Sequence, residues 1–202
     1  MSNGKESLSP SEMDPNDLPD VPAFQDELTR DYLESTEPVR EGYYTLESAT
    51  NTFTLDFPED MVVDETSMAG NEGNSESLIF YYDDNDADVM DEYIVHYYSS
   101  IPDIEYSKDL MNRRAGEELN FKEVQTENEN QRLEVAEMDS DNTGSYIAAL
   151  VRDEKNQEIQ VFVDIICRDD IAEDKCNTLK EQEKKKVTEV LKSIQFKEDK
   201  GK

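Results

Sequence analysis

Acidic side chains at alternating positions are the first feature of this sequence that could do chemistry. Asp84, Asp86 and Asp88 have the D-x-D-x-D spacing of an EF-hand loop, in which carboxylate oxygens bind calcium. That loop also needs glycine at its sixth position and a bidentate glutamate at its twelfth, where this chain has Val89 and Val95. The spacing makes these three aspartates a candidate metal site, and the missing positions favour a solvated acidic turn.

Aromatic side chains form a second candidate site. Six tyrosines occur as adjacent pairs, at positions 43–44, 81–82 and 97–98. Successive side chains of a strand point to opposite faces of its sheet, so each pair sends one ring to each face. We therefore expect Tyr81, Tyr93 and Tyr97 to form an interaction patch for a ligand or a protein partner. Packing within an amphipathic sheet is the simpler interpretation of the same pattern.

Motifs of common enzyme classes are absent. The chain contains no G-x-x-x-x-G-K, G-x-S-x-G or H-E-x-x-H, which removes the commonest nucleotide-binding, hydrolase and zinc-protease interpretations. Its single histidine, His96, has no flanking motif that supplies a nucleophile. We therefore predict no catalytic residue and no cofactor. A carboxylate-based hydrolase stays open as an alternative only because Asp and Glu are abundant.

Two cysteines, Cys167 and Cys176, lie nine positions apart on either side of a predicted strand-to-helix turn. Such a turn can bring two cysteines to the separation that a disulfide requires, and this bond would add ~2–3 kcal/mol of stability. The spacing matches no zinc motif. We predict a disulfide and an oxidising compartment; two reduced thiols in a cytosolic protein are the alternative.

The charge of the chain restricts its partners. It has 50 acidic and 20 basic residues, for a formal net charge of -30. Nucleic acids and anionic lipid headgroups are excluded as partners because both bind through Lys and Arg. Basic protein surfaces and weakly held divalent cations remain, and solubility in a high-salt or alkaline habitat would explain the same excess. A calcium-dependent surface protein is a further alternative.

Membrane and export signals are also missing from the sequence as it stands. No run of about 18 apolar residues could span a bilayer, and the first residues have no apolar core of a signal peptide. The protein is then either cytosolic or exported by a signal that lies outside this chain. The predicted disulfide favours the second, an extracytoplasmic protein that is secreted or anchored at the cell surface.

Hydrophobic periodicity predicts an α+β fold. The most hydrophobic stretch is a hairpin at 146–167, whose second arm alternates strictly and is rich in β-branched residues. Other strands are predicted at 43–46, 52–57, 61–63, 78–82, 93–98, 121–126 and 132–138. Helices are predicted at 108–119, capped by Ser107, and at 171–193. We expect a largely antiparallel sheet of about six to seven strands, with both helices packed on it.

The composition divides the chain into two parts. Residues 1–41 are rich in Ser, Asp, Glu and Pro, which predicts an acidic, mostly disordered tail or tether. A short helix is expected at 22–35, where Phe24, Leu28 and Tyr32 recur every four residues; it either docks on its own domain or binds a partner. Residues 42–198 are predicted to form a single α+β domain.

This order of elements resembles the Mog1/PsbP-like fold, including small bacterial lipoproteins that share it. The likeness rests on FTLDFPEDM at 53–61, the helix at 108–119, the strands at 121–167 and LKSIQF at 191–196. The chain departs from the pattern at Met61, a position that is often Trp. The resemblance implies a non-enzymatic binding or assembly factor. It also implies attachment to a membrane through a lipid anchor, which would lie outside this chain.

Overall fold

The computed structural model describes residues 9–70, 73–84, 86–140 and 144–197. Short 3₁₀ turns occur at Pro10–Glu12 and Pro15–Asp17, and helices α1 to α4 are Pro22–Gln25, Glu27–Tyr32, Ile104–Ala115 and Glu173–Ser193. Strands β1 to β11 are Tyr43–Glu47, Phe53–Pro58, Met61–Val63, Met68–Ala69, Ser75–Tyr82, Val89–Tyr98, Lys122–Val124, Gln131–Ser140, Gly144–Asp153, Glu158–Cys167 and Gln195–Phe196. Among the helices in these ranges, none is long and apolar enough to cross a bilayer.

The strands form two antiparallel sheets. The main sheet has eight strands in the order β3-β5-β6-β10-β9-β8-β7, with β4 also paired to β5. The small sheet has the order β1-β2-β11, so the last strand of the chain pairs with β2. The predicted α+β class and antiparallel sheet are confirmed. The alternating pattern predicted the strands other than β4 and β11, but it could not show that β1 and β2 leave the main sheet.

The hairpin β9–β10 lies at the centre of the main sheet, and both of its faces are covered. On the inner face, Val161 and its alternate neighbours pack against the small sheet and the apolar side of α4, which includes Val187, Val190 and Leu191. On the outer face, Phe162 packs in a smaller core beneath α3. Each such buried side chain contributes about 1.5–3 kcal/mol, so this double coverage makes the hairpin the centre of the fold.

Helix α3 begins four residues earlier than predicted. Its N-cap is Asp103, whose carboxylate accepts hydrogen bonds from the backbone N–H groups of Glu105 and Tyr106. The predicted cap, Ser107, is fully buried instead, and its hydroxyl donates to the Glu158 carboxylate at 2.8 Å. Because this contact lies across 51 residues, the local capping signal could not reveal it.

Residues 9–41 pack on the domain, which departs from the prediction of a mostly disordered tail. Phe24 is fully buried and its ring meets Tyr44 edge-on, with centroids 4.7 Å apart. The Thr29 hydroxyl accepts a hydrogen bond from the Val63 backbone N–H at 2.8 Å. These contacts cover the β3 edge of the main sheet, because Thr29 satisfies a backbone donor that the edge would otherwise leave unpaired. Residues 1–8 of the predicted tail lie outside the described residues.

The predicted disulfide is confirmed. Cys167, the last residue of β10, is bonded to Cys176 in the first turn of α4, with 5.8 Å between their Cα atoms. Both cysteines are buried. The bond therefore fixes the start of the long helix to the central strand of the main sheet.

Candidate functional site

A cavity of about 160 Å³ opens where helix α4, strand β6 and the two turns at the end of the small sheet meet. Four acidic side chains and one lysine line it: Glu59, Asp60, Asp91, Glu183 and Lys186. Its remaining wall includes three tyrosines and a methionine. We call it the Asp91 cavity, because Asp91 is its most unusual residue.

Strand β6 places Asp91 in the interior. Alternation along β6 sends Asp91, Tyr93, Val95 and Tyr97 to the inner face of the main sheet, where the last three belong to the core. Asp91 is only 5% exposed. Within the part of the chain that the structure describes, its carboxylate forms no hydrogen bond or ion pair, and its oxygens are not among the fully buried atoms without a partner, so they open to the cavity. A buried charge of this kind is expensive unless something pairs with it.

Helix α4 supplies the second buried acid. Glu183 is 8% exposed, and its Oε1 accepts a hydrogen bond from the Lys186 ammonium at 2.8 Å. Burial lowers the pKa of Lys186, but the hydrogen bond and the negative charge of Glu183 outweigh it, so that the pKa is raised. Lys186 therefore forms its ion pair with Glu183, and its charge acts on Asp91 without a direct contact.

The turn between β2 and β3 brings two further acids, Glu59 and Asp60. The Glu59 backbone N–H donates to the Gly42 carbonyl at 2.9 Å, and its own carbonyl accepts from the Ala23 N–H at 3.0 Å. Gly42 has φ 77°, a left-handed conformation that glycine adopts without strain. The N-terminal segment therefore helps to fix the turn that lines the cavity.

The pKa of Asp91 is raised to about 7. Burial is the largest cause, the negative charge of Glu183 adds to it, Lys186 opposes it, and Asp60 adds a smaller increase. At neutral pH about half of the Asp91 carboxyls therefore carry a proton. The cavity holds an acid that titrates in the physiological range and lacks a cationic partner.

Tyrosine rings form the other wall of the cavity. Tyr43, Tyr82 and Tyr93 line it, and Tyr93 stacks on Phe80 with centroids 4.5 Å apart. The outside of the Tyr43 ring already holds a cation, since the Arg40 guanidinium carbon lies 3.3 Å from its centroid. Aromatic faces next to carboxylates are the surroundings that favour an organic cation.

The predicted metal site does not form. Asp88 is paired with two cations, its Oδ1 lying 3.1 Å from Arg168 Nη2 and its Oδ2 2.5 Å from Lys175 Nζ. Asp84 accepts from the Asp86 backbone N–H at 2.9 Å, closing a local turn. Across residues 9–70, 73–84, 86–140 and 144–197, no group of three or more His, Cys, Asp or Glu is placed to hold a metal ion. The three aspartates therefore lie in an acidic turn, and ion pairs connect this turn to α4 and to the loop that precedes it.

The predicted tyrosine patch is not formed either. Tyr93 and Tyr97 are 1% and 2% exposed and belong to the inner core. Tyr81 lies opposite Glu92 in the register of β5 and β6, on the outer face. Alternation explains why the three rings do not meet. In the register of β5 and β6, Tyr81 is one position away from the partner of Tyr93, so the two side chains point to opposite faces of the sheet.

His96 lies far from a catalytic arrangement. It is on the outer face of β6, and its Nε2 is 3.3 Å from Nη1 of Arg114. Burial and the charge of Arg114 lower its pKa, which favours the neutral ring. These surroundings are those of a histidine with a structural role in the sheet.

Comparisons with known proteins agree with the resemblance seen in the sequence. The model of the YvcA_Mog1p family, described as "Putative lipoprotein YvcA", matches residues 19–195. A protein of the same description from Bacillus subtilis (strain 168) is 46% identical over 98 residues, which are 48% of this chain and 40% of that protein. The chain thus matches less than half the length of this curated relative.

Two solved structures are similar in outline. The Ran-binding protein Mog1p of Saccharomyces cerevisiae has a TM-score of 0.48 and 10% identity, over 76% of this chain and 94% of its own. A protein from Bacteroides thetaiotaomicron has a TM-score of 0.42 and 12% identity, over 81% of this chain and 51% of its own.

The family description bears directly on location. Lipoproteins are held at a membrane by a lipid anchor, and the description agrees with the extracytoplasmic, surface-anchored location predicted from the sequence. Since the family model matches nearly the whole described part of the chain, this protein belongs to the YvcA_Mog1p family.

Proposed function

We propose that this chain is a non-enzymatic, extracytoplasmic binding domain of a membrane-tethered bacterial lipoprotein, and that its Asp91 cavity accepts an organic cation. The ligand group is an ammonium or a guanidinium. One observation carries the proposal: Asp91 is 95% buried, opens to a cavity, and has no hydrogen-bonding or ion-pairing partner in the described ranges.

Energetics support a cationic ligand. Keeping an ionised carboxylate away from water costs several kcal/mol, and native proteins offset this cost by pairing the charge. The lysine that could do so here, Lys186, is bound to Glu183 at 2.8 Å. A cation that enters the cavity would complete the pairing of Asp91, and the surrounding tyrosine rings would add cation–π attraction.

The size of the cavity favours a ligand that inserts only its cationic group over a metabolite that is enclosed as a whole. Sites that enclose a small-molecule substrate typically have roughly 300–1,000 Å³, whereas this cavity has about 160 Å³. It therefore suits binding better than the carboxylate-based hydrolase considered from the sequence. The cation is either a free amine or the end of a Lys or Arg side chain on a partner protein, and both present the same chemistry.

A titration followed by amide chemical shifts tests this proposal. Methylammonium and methylguanidinium represent free amines, while N-acetyl-lysine methylamide and N-acetyl-arginine methylamide represent the side chains of a partner. We expect saturable shifts around Tyr82, Asp91 and Glu183, weakened about tenfold by Asp91→Asn. Tighter binding of the capped amino acids would assign the cation to a protein partner.

The matched control is Glu129→Gln, which removes one charge from an exposed turn at the far end of the main sheet. It should leave the titration unchanged. Absence of saturable binding by the unmodified chain, or equal loss in both variants, would refute the proposal, because the cavity would then contribute nothing beyond the general negative charge.

A further inference from the structure

The outer face of the main sheet is covered along only part of its length. Helix α3 covers Phe162 and its neighbours, and at the end of the helix the Arg114 guanidinium lies 4.3 Å from the centre of the Phe162 ring. Beyond this point the face is open to solvent. Ile166, four residues farther along β10 on the same side, is 50% exposed.

The strand registers place the side chains of this open face in two rows. One row crosses β5, β6, β10 and β9 through Tyr81, Glu92, Asp164 and Tyr146. The next row contains Met90 and Ile166, which are direct cross-strand neighbours, followed by Gly144. Tyr146 packs on the core beneath α3 and its hydroxyl is buried, so we define the open face by the other five side chains of these rows, Tyr81, Met90, Glu92, Asp164 and Ile166.

Two like charges meet at its centre. Glu92 and Asp164 are directly opposite each other on β6 and β10. Carboxylates in such positions repel each other and destabilise a strand pair. Burial raises the pKa of Asp164 although Arg114 opposes the shift, so this acid is already partly removed from water. Arg114 acts on Asp164 from the side of α3, and a further cation beside Glu92 would relieve the remaining repulsion between the two acids.

An uncovered apolar side chain adjoins this acidic pair. Ile166 has Met90 on one side and Gly144 on the other. The glycine cannot be replaced easily, because a Cβ there would lie 2.6 Å from the Ile165 carbonyl oxygen. The position of β9 directly opposite Ile166 therefore has no side chain to cover it, and half of the Ile166 surface remains exposed.

We infer that the open face docks a basic, partly apolar segment of a second protein. A Lys or Arg of that segment would lie between Glu92 and Asp164, and an apolar neighbour would cover Ile166 and Met90. Charge complementarity decides the occupant. A second copy of this chain, with a net charge of -30, and an anionic bilayer surface would both be repelled by the acidic pair.

This inference is independent of the Asp91 cavity. Asp91 lies on the inner face of β6, whereas Glu92 and the rest of the open face lie on the outer side. Variants can therefore disrupt either surface separately. The two proposals also differ in their ligands, since the cavity takes a single cationic group and the open face takes a segment with both charge and apolar area.

Binding of a short amphipathic Lys–Leu peptide to the full chain, measured by calorimetry at physiological salt, tests the inference. A Glu–Leu peptide of the same pattern is the negative probe. The double variant Glu92→Gln/Asp164→Asn should weaken binding at least tenfold, and Ile166→Ser about fivefold. Glu92 and Ile166 are exposed and Asp164 is half-buried. Unchanged thermal unfolding would show that the variants fold.

The matched control is Glu129→Gln/Glu154→Gln, which removes two charges from exposed turns at the opposite end of the sheet. We expect it to change the affinity less than twofold. Equal weakening by the control pair, or unchanged binding by both open-face variants, would overturn the inference by showing non-specific attraction. Self-association of the chain that Ile166→Ser abolishes, or binding to anionic vesicles, would overturn the choice of occupant.

Discussion

Asp91 and Glu183 come from different layers of the fold, strand β6 and helix α4, and face the same small cavity with one lysine between them. Lys186 donates to Glu183 at 2.8 Å and leaves Asp91 without a partner in the described part of the chain. Burial, together with the negative charge of Glu183, raises the pKa of Asp91 to about 7, although Lys186 opposes the shift.

The stability of the protein should reflect this buried acid. Because the folded state raises the pKa of Asp91 from its ordinary value near 4 to about 7, the folded state binds more protons than the unfolded chain between these values. Its contribution to the free energy of unfolding therefore falls as pH rises through this window. Asp91→Asn should leave stability nearly unchanged at pH 4 and increase it by a few kcal/mol at pH 8, on the order expected for such a shift.

Urea unfolding of both proteins at several pH values measures this difference, with Glu129→Gln as the exposed control. Parallel pH profiles for the unmodified chain and Asp91→Asn would contradict the account. The profile of either protein alone is not diagnostic, since other carboxyls, such as Asp139 with its lowered pKa, change stability in the opposite direction.

The N-terminal segment should behave as part of the domain. Phe24 is fully buried, so Phe24→Ala should lower the free energy of unfolding by about 3–5 kcal/mol. Val39 in the same segment is 52% exposed, and Val39→Ala should change it by less than about 0.5 kcal/mol. Thermal unfolding distinguishes the two variants. If this segment were disordered, both substitutions would leave the free energy of unfolding unchanged, which would contradict the account.

The disulfide should stabilise the start of α4. Replacing both Cys167 and Cys176 by serine should lower the free energy of unfolding by ~2–3 kcal/mol, the value expected for a loop of this length. Denaturation in urea measures the loss. Intact mass after alkylation, with and without reductant, provides the control for the bond itself; labelling of both thiols in the untreated protein would contradict it.

Sequence patterns predicted those parts of the fold that local chemistry determines. The β9–β10 hairpin follows from alternation and β-branched residues, and the disulfide follows from two cysteines across a strand-to-helix turn. The start of α3 was misplaced because Asp103 and Ser107 are equally good caps locally. A buried contact with Glu158, 51 residues away, uses Ser107 instead.

The candidate site was missed for a related reason. The sequence pattern starts this strand at residue 93, although β6 begins at Val89 and continues the alternation that places Asp91 beside Tyr93 on the inner face. The sequence did contain a sign of the site, because alternation places the charged Asp91 on the same face of the strand as the aromatic Tyr93. Its meaning depends on Glu183, which only the packing of α4 brings to the same cavity.

The most direct measurement of the central claim is the proton released when a cation enters the Asp91 cavity. Calorimetric titration with methylguanidinium at pH 7, in two buffers of different ionisation enthalpy, should show release of about half a proton per bound cation, because about half of the Asp91 carboxyls are then protonated. Affinity should also fall about tenfold per pH unit below 7. Asp91→Asn should abolish the buffer dependence. Heats that do not depend on the buffer, or proton release that persists in Asp91→Asn, would contradict the account.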